Sequence, residues 1–281
     1  MIIWLASYPK SGNTLLRSIL GTYFFSNDGE FDFKYTYRIG QFPALDLFKR
    51  AGVDISNNEE IYKNYIKAQN LLNTENKSIK FFKTHSIFFH RKTDDAKFSN
   101  LENTLGAVYI VRDPRNIVSS FAHHYQLSIN EATDQICNID LFSKRTETHP
   151  HILMSSWKLN YLSWLGLGKK ILLIKYEDLI GEKKKKTLIK VFDFFKSLGM
   201  NEKLFNIAKL NKVIKSTEFN KMKELEKKHG FREATIDEKT GERLTFFNKG
   251  PKNKWEEVLD EKNQKRIEET FKKEMTELDY L

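Results

Sequence analysis

The segment Tyr8-Pro9-Lys10-Ser11-Gly12-Asn13-Thr14 lies between an apolar run, Ile2 to Ala6, and a helix-period pattern of Leu15, Leu16, Ile19, Leu20 and Tyr23. Apolar run, Gly-containing turn and periodic segment read as strand, loop and helix, which commits the start of the chain to an α/β unit. A turn of this kind aims backbone N–H groups and the positive end of a helix dipole at one point, and Lys10 adds a full charge there. The expected occupant is an anion. From this stretch alone, an ordinary strand-to-helix turn with a solvated lysine is the alternative.

Three further short apolar runs, 79–82, 107–111 and 171–174, are separated by long helix-period segments. Buried parallel strands joined by crossover helices have this pattern, so the expected fold class is α/β, a central parallel sheet flanked by helices. At 281 residues, 40% hydrophobic and 30% charged, the chain suits one domain over residues 1–281. Its single cysteine, Cys137, excludes an intramolecular disulfide framework. No apolar stretch approaches the roughly 20 residues that span a bilayer, and no basic leader precedes Ile2, so no membrane partner and a cytoplasmic location are expected. The net charge of +10 calls for an anionic partner without choosing one. The lysine run 183–186 precedes Leu188, Val191, Phe192 and Phe195 and reads as a solvated helix face rather than a nucleic-acid site.

Between the first two strands, residues 26–57 carry Phe31, Phe33, Tyr35, Tyr37, Phe42 and Pro43 with poor periodicity. They form either a lid or wall beside the site or an aromatic satellite core. Helices are expected over 58–73, 181–199 and 201–229, and a helical hairpin over 128–166. Residues 230–254, rich in Gly, Lys and Thr, read as a mobile loop ahead of a final helix.

Strand ends in an α/β sheet open into a common crevice, and here they deliver cations to it. The second strand ends at Lys83-Thr84-His85, with Lys83 and His85 on the same side of an extended chain. The third runs into Arg112-Asp113-Pro114, where Asp113 suits a helix cap and Pro114 a first turn, which places Ser120 about two turns into the helix. His123 and His124 are expected on that helix's surface. The fourth strand ends at Lys175-Tyr176.

In order and spacing these pieces resemble the cytosolic-type sulfotransferase family, which uses 3′-phosphoadenosine 5′-phosphosulfate (PAPS) and releases 3′-phosphoadenosine 5′-phosphate (PAP). The resemblance spans residues 2 to about 255. It implies a fold of the sulfotransferase and nucleoside-kinase type, with Lys10, Ser11, Gly12, Asn13 and Thr14 as the 5′-phosphosulfate loop. Lys83-Thr84-His85 resembles the family's catalytic Lys-Thr-His. Arg112 and Ser120, eight residues apart, fall on the 3′-phosphate positions, and Tyr176 falls on the adenine-binding tyrosine. Thr217, Phe219 and Met222 reproduce a Thr-x-Phe-x-x-Met pattern that lines the nucleotide, and Asn248, Lys249 and Gly250 match the start of an Arg-Lys-Gly loop. The implied catalytic set is His85, Lys10, Lys83 and Ser120.

The chain departs from the family at Asn248, where an arginine would grip the 3′-phosphate, at Leu15, where animal members stack a tryptophan on adenine, and at Asn13, where threonine is common. No dimer segment of the Lys-x-x-x-Thr-Val-x-x-x-Glu type follows Trp255. Sulfuryl transfer needs cations at the leaving phosphate and a base for the acceptor's proton, and the scheme requires no metal. The implied acceptor is a hydroxyl or amine on a small molecule or glycan. Two other readings stay open: a nucleotide or small-molecule kinase, although the lysine precedes the glycine instead of following it as in a P-loop, and a non-catalytic module binding nucleotides or polyanions.

Overall fold

The computed structural model describes residues 1–75, 78–237 and 239–281. Its organising element is a parallel sheet of β1 (Ile2–Ser7), β2 (Gly40–Gln41), β3 (Lys80–Thr84), β6 (Thr104–Val111) and β7 (Ile171–Lys175), in the order β2-β3-β1-β6-β7. A two-stranded ribbon, β4 (His90–Arg91) with β5 (Ala96–Lys97), lies between β3 and β6 in sequence. Leu5 pairs with Lys83, Ser7 with Ile110 and Val111 with Lys175. Because every pairing in the sheet is parallel, Ser7, Thr84, Val111 and Lys175 all emerge at the same edge.

The strands are apolar because both faces of the sheet are covered. All six residues of β1 are buried, and they alternate between two cores with the period of two that a strand imposes. Ile2, Trp4 and Ala6 join Ala107, Tyr109 and Val111 on one face, while Ile3 and Leu5 join Val108 and Ile110 on the other. Each aliphatic side chain buried this way contributes about 1.5–3 kcal/mol. Buried Trp4 keeps its polar edge satisfied by donating from Nε1 to Thr104 Oγ1 at 2.9 Å.

Helices α1 (Asn13–Phe25), α10 (Lys184–Ser197) and α11 (Ile207–Ser216) cover the second face. The first is covered by α3 (Leu45–Arg50), α5 (Tyr65–Glu75), α6 (Pro114–Tyr125), α7 (Ile129–Cys137), α8 (Trp157–Leu165), α13 (Glu261–Thr270) and α14 (Lys272–Glu277). The short helices α2 (Phe33–Thr36), α4 (Asn58–Lys63) and α9 (Tyr176–Ile180), with α12 (Phe219–His229), complete the set. None of the described helices is long and apolar enough to cross a membrane.

Three helix expectations are revised. The run expected over 58–73 breaks at Asn64 into α4 and α5. In place of a helical hairpin over 128–166, α7 and α8 flank an irregular excursion in which Phe142 and Leu153 form an antiparallel bridge. The run expected over 201–229 breaks between α11 and α12 at Thr217, whose Oγ1 donates back to the Val213 carbonyl at 2.7 Å. Such back-bonding competes with the helix ladder. This break delivers Thr217 and Phe219 to the sheet's C-terminal edge.

Both readings of 26–57 are represented. Phe42 and Phe48 belong to the main core, Phe33 joins Met222, Phe231 and Phe247 in a smaller cluster, and Gln41 reaches a cavity wall. Asp113 and Pro114 start α6 as expected: Asp113 accepts from the Arg115 N–H at 2.9 Å. Arg115 then ties this turn to the C-terminal region through Glu268 at 2.7 Å and the Tyr280 carbonyl at 2.6 Å. The strand end that carries Arg112 is thereby held from behind.

Candidate active site

The loop after β1 turns by placing Lys10 (φ 64°) and Gly12 (φ 97°) in the left-handed region. Gly12 is required twice over, since a Cβ there would lie 2.3 Å from Cδ2 of the Tyr176 ring. Gly12→Ala therefore pushes Tyr176 out of place, and for the nucleotide that the resemblance implies the predicted loss of affinity is tenfold or more, about 1.4 kcal/mol. Calorimetry with PAP checks this, and unchanged affinity would show that the Gly12–Tyr176 contact does not shape the site. Asn13 Nδ2 donates to the Leu5 carbonyl at 2.8 Å and to Ser7 Oγ at 3.2 Å. The Asn13 side chain thus clamps the start of α1 to the end of β1, and the first-turn N–H groups remain to face an anion.

A cavity of about 990 Å3 opens at this edge. Lys10, Gly12, Asn13, Thr14, Lys83, His85, Arg112, Ser120, Tyr176, Thr217, Phe219, Met222, Asn248, Lys249 and Gly250 all line it. Ser11 does not: it is fully buried, and its N–H donates to the Tyr8 carbonyl at 3.3 Å. Leu15 lines the wall near Phe219. Gly250 closes against Phe219, whose ring leaves only 2.2 Å for a Cβ. Lys223 holds the same turn by donating to the Asn248 carbonyl at 3.0 Å.

His85 Nδ1 lies 2.8 Å from the Ser7 carbonyl. A carbonyl only accepts, so Nδ1 carries the proton and the neutral ring presents its Nε2 lone pair. Asn160 of α8 fixes the His85 backbone by donating from Nδ2 to its carbonyl at 2.9 Å, and Tyr109 Oη orients Asn160 in turn at 2.7 Å. Burial, then the charge of Lys83, pulls the imidazole down to about 3, so it is neutral across the physiological range. Burial and then Lys83 also bring the Lys10 ammonium down to about 7. Its Nζ lies 4.1 Å from the centroid of Phe246. Arg112 donates from Nη1 to the Lys10 carbonyl at 2.8 Å, lies 4.3 Å over the Tyr176 ring, and has a buried Nε without a hydrogen-bond partner among the described residues.

Residues 2–279 match the family model described as the sulfotransferase domain. The chain belongs to the sulfotransferase domain family. It is similar in fold to the crystal structure of mouse sulfotransferase SULT7A1 complexed with PAP, at 20% identity and a TM-score of 0.56, over 97% of this chain and 83% of that one. A retinol dehydratase crystallised with androsterone and inactive cofactor PAP gives a TM-score of 0.61 at 17% identity, over 98% of this chain and 80% of that one. Another structure of a retinol dehydratase, complexed with retinol and PAP, gives 0.61 at 19% identity, over 98% and 81%. A search of curated proteins gave no match.

The sulfotransferase domain also brings in residues that its sequence did not single out. Glu233 receives Arg17 Nη1 at 2.6 Å, Thr14 Oγ1 at 3.3 Å and Lys83 Nζ at 3.5 Å. Burial alone would raise its carboxyl, but the Lys83 and Arg17 charges outweigh that and hold it well below the usual carboxylate range. His123 and His124, expected on a helix surface, line the cavity instead. The segment after α12 covers their face of α6: Thr235 Oγ1 donates to the His124 carbonyl at 3.2 Å, and His123 Nε2 lies 3.0 Å from the Thr245 carbonyl. Burial, followed by Lys10 and Lys83, brings His124 down to about 3. The segment expected to be a loop over 230–254 is thus tied to α6 and carries the buried residues Phe231 and Phe247.

Proposed function

We propose that residues 1–281 act as one sulfotransferase domain that transfers a sulfuryl group from PAPS to a hydroxyl or amine on a small molecule or glycan. The observation that carries this reading is His85, fixed by Ser7 as the tautomer with a free Nε2, standing in one cavity with Lys10 and Lys83. Two features suit a bound nucleotide in the same cavity. Gly12 and Gly250 admit Tyr176 and Phe219 at distances that no side chain on either glycine would tolerate, and the buried Arg112 Nε is left with hydrogen-bonding capacity.

In this scheme the acceptor oxygen or nitrogen attacks sulfur, its proton passes to His85 Nε2, and the bond from sulfur to the bridging oxygen breaks. The electron pair stays on the 5′-phosphate of PAP. Lys10 and the α1 N-terminus stabilise the charge that develops there, and Lys83 stabilises the transferring group. Arg112 and Ser120 hold the 3′-phosphate, while Tyr176, Thr217, Phe219 and Met222 hold the nucleoside. On the acceptor side the wall includes Tyr125, Ile129, Ile152 and Met154, which favours an acceptor with an apolar body. The retinol dehydratase structures, complexed with retinol or androsterone, fit the same expectation.

Calorimetry with PAP and with adenosine 5′-phosphate tests the donor assignment. The native protein should prefer PAP, and Arg112→Ala should erase most of that preference, since a hydrogen bond to a charged group contributes about 1.5–3 kcal/mol. Equal affinity of the native protein for the two nucleotides would sink the assignment.

A further inference from the structure

The carboxylate of Glu233 stands among the groups that the proposed donor would use. Its two oxygens are held unequally. Oε1 receives Arg17 Nη1 at 2.6 Å, and Arg17 is itself immobilised: it is buried, and its Nη2 donates to the Ile39 carbonyl at 3.1 Å and the Thr36 carbonyl at 3.3 Å. Oε2 reaches Thr14 Oγ1 at 3.3 Å and Lys83 Nζ at 3.5 Å, both long for charge-assisted bonds. One limb is therefore an anchor and the other a loose contact. Phe246 of the same segment lies over Lys10, so the stretch from Phe231 to Phe247 places a carboxylate on one lysine of the site and an aromatic ring on the other.

We propose that Glu233 is an internal counter-ion that sets donor specificity: it engages Lys83 and Thr14 before the donor arrives, and the donor's phosphosulfate oxygens take them over by exchange. This rests on the donor reading above. Lys10, Lys83 and Arg112 line one cavity with Arg17 behind Glu233, and such a cluster of basic groups by itself would attract any phosphate. A carboxylate already on Lys83 and Thr14 opposes anions that make only one or two contacts there. PAPS and PAP, gripped also by Arg112, Ser120 and the adenine wall, have enough further contacts to displace it. Specificity then comes from a repulsive element as well as an attractive one. Glu233 need not leave the site, because its bond to Arg17 lets Oε2 swing away while Oε1 stays anchored.

The test is calorimetry of PAP and of inorganic phosphate with the native protein and Glu233→Gln. The variant should bind PAP at least about fivefold more tightly, the low end of typical coupling between sites, and inorganic phosphate should gain more, so that the preference for PAP narrows. A gain in affinity is not what damage to the fold produces. If both proteins bind PAP and Glu233→Gln binds it equally or more weakly, the inference is overturned and the donor reading survives. If neither binds PAP, the donor reading falls and the inference falls with it. Glu233→Asp decides the matter independently should Glu233→Gln not fold. It keeps the charge but draws the carboxylate back from Lys83 and Thr14, whose contacts with Oε2 are already 3.5 and 3.3 Å. It should also bind PAP more tightly than the native protein, and equal or weaker binding would overturn the inference.

Discussion

Replacing His85 with alanine should leave PAP binding intact and cut sulfuryl transfer by roughly 10²- to 10⁴-fold, the span of a lost general base. The expectation follows from what holds the ring. Nδ1 is committed to the Ser7 carbonyl, the backbone is pinned by Asn160, and the partly buried ring is kept neutral by burial and by Lys83. Its pull down to about 3 has a consequence for pH. A base works only when unprotonated, so loss of kcat/KM on the acid side should not begin near the ordinary imidazole value of ~6.5 but well below it. In the proposed complex the donor would bring negative charge beside His85 and favour the imidazolium, so the acid limb of kcat should lie at higher pH than that of kcat/KM. Turnover by His85→Ala at the native rate, with any acceptor the native protein uses, would remove His85 from the chemistry.

The parts of this site that were legible in the sequence are those whose neighbours along the chain determine their place. Lys10 to Thr14, Lys83 to His85 and Arg112 each follow directly on an apolar strand, and parallel strands deposit their ends together whatever the rest of the chain does. Glu233 was not legible for the opposite reason. It stands in a stretch without strand or helix periodicity, and its position depends on contacts with Arg17, 216 residues away, and with Tyr37 through the neighbouring Arg232. The helix face of His123 and His124 reads as exposed from sequence, and it is covered in the fold by Thr235 and Thr245, which come more than a hundred residues later. The same holds for the broken helices: Asn64 and Thr217 interrupt patterns whose apolar spacing alone would continue. The motif marks Thr217 as a lining residue from sequence, whereas the helix break that brings it to the cavity is a property of the fold.

Lys10→Met should lower turnover by roughly 10²- to 10³-fold, the cost of removing one preorganised donor at a developing oxyanion, and should also flatten the pH dependence of PAP binding. Burial, then Lys83, brings the Lys10 ammonium down to about 7, while Glu233 opposes that shift. Near neutral pH a large fraction of the free protein therefore carries an uncharged Lys10. In the proposed complex PAP would place negative charge beside Nζ and favour the protonated form, so the value in the complex would lie above that in the free protein. Between the two values binding takes up a proton, and affinity must fall as pH rises, by at most tenfold per pH unit for this one group. Below about 7 Lys10 is already charged and its contribution levels off. Lys83 is also lowered, chiefly by burial, and adds a slope of its own that Lys10→Met leaves in place. Calorimetry of PAP from pH 6.5 to 9 on both proteins separates the two contributions. A native affinity constant over that range would mean that Lys10 does not meet the nucleotide's anionic end. The predicted fall, surviving only in part in Lys10→Met, would place its ammonium at the leaving phosphate, where the charge of the broken bond collects.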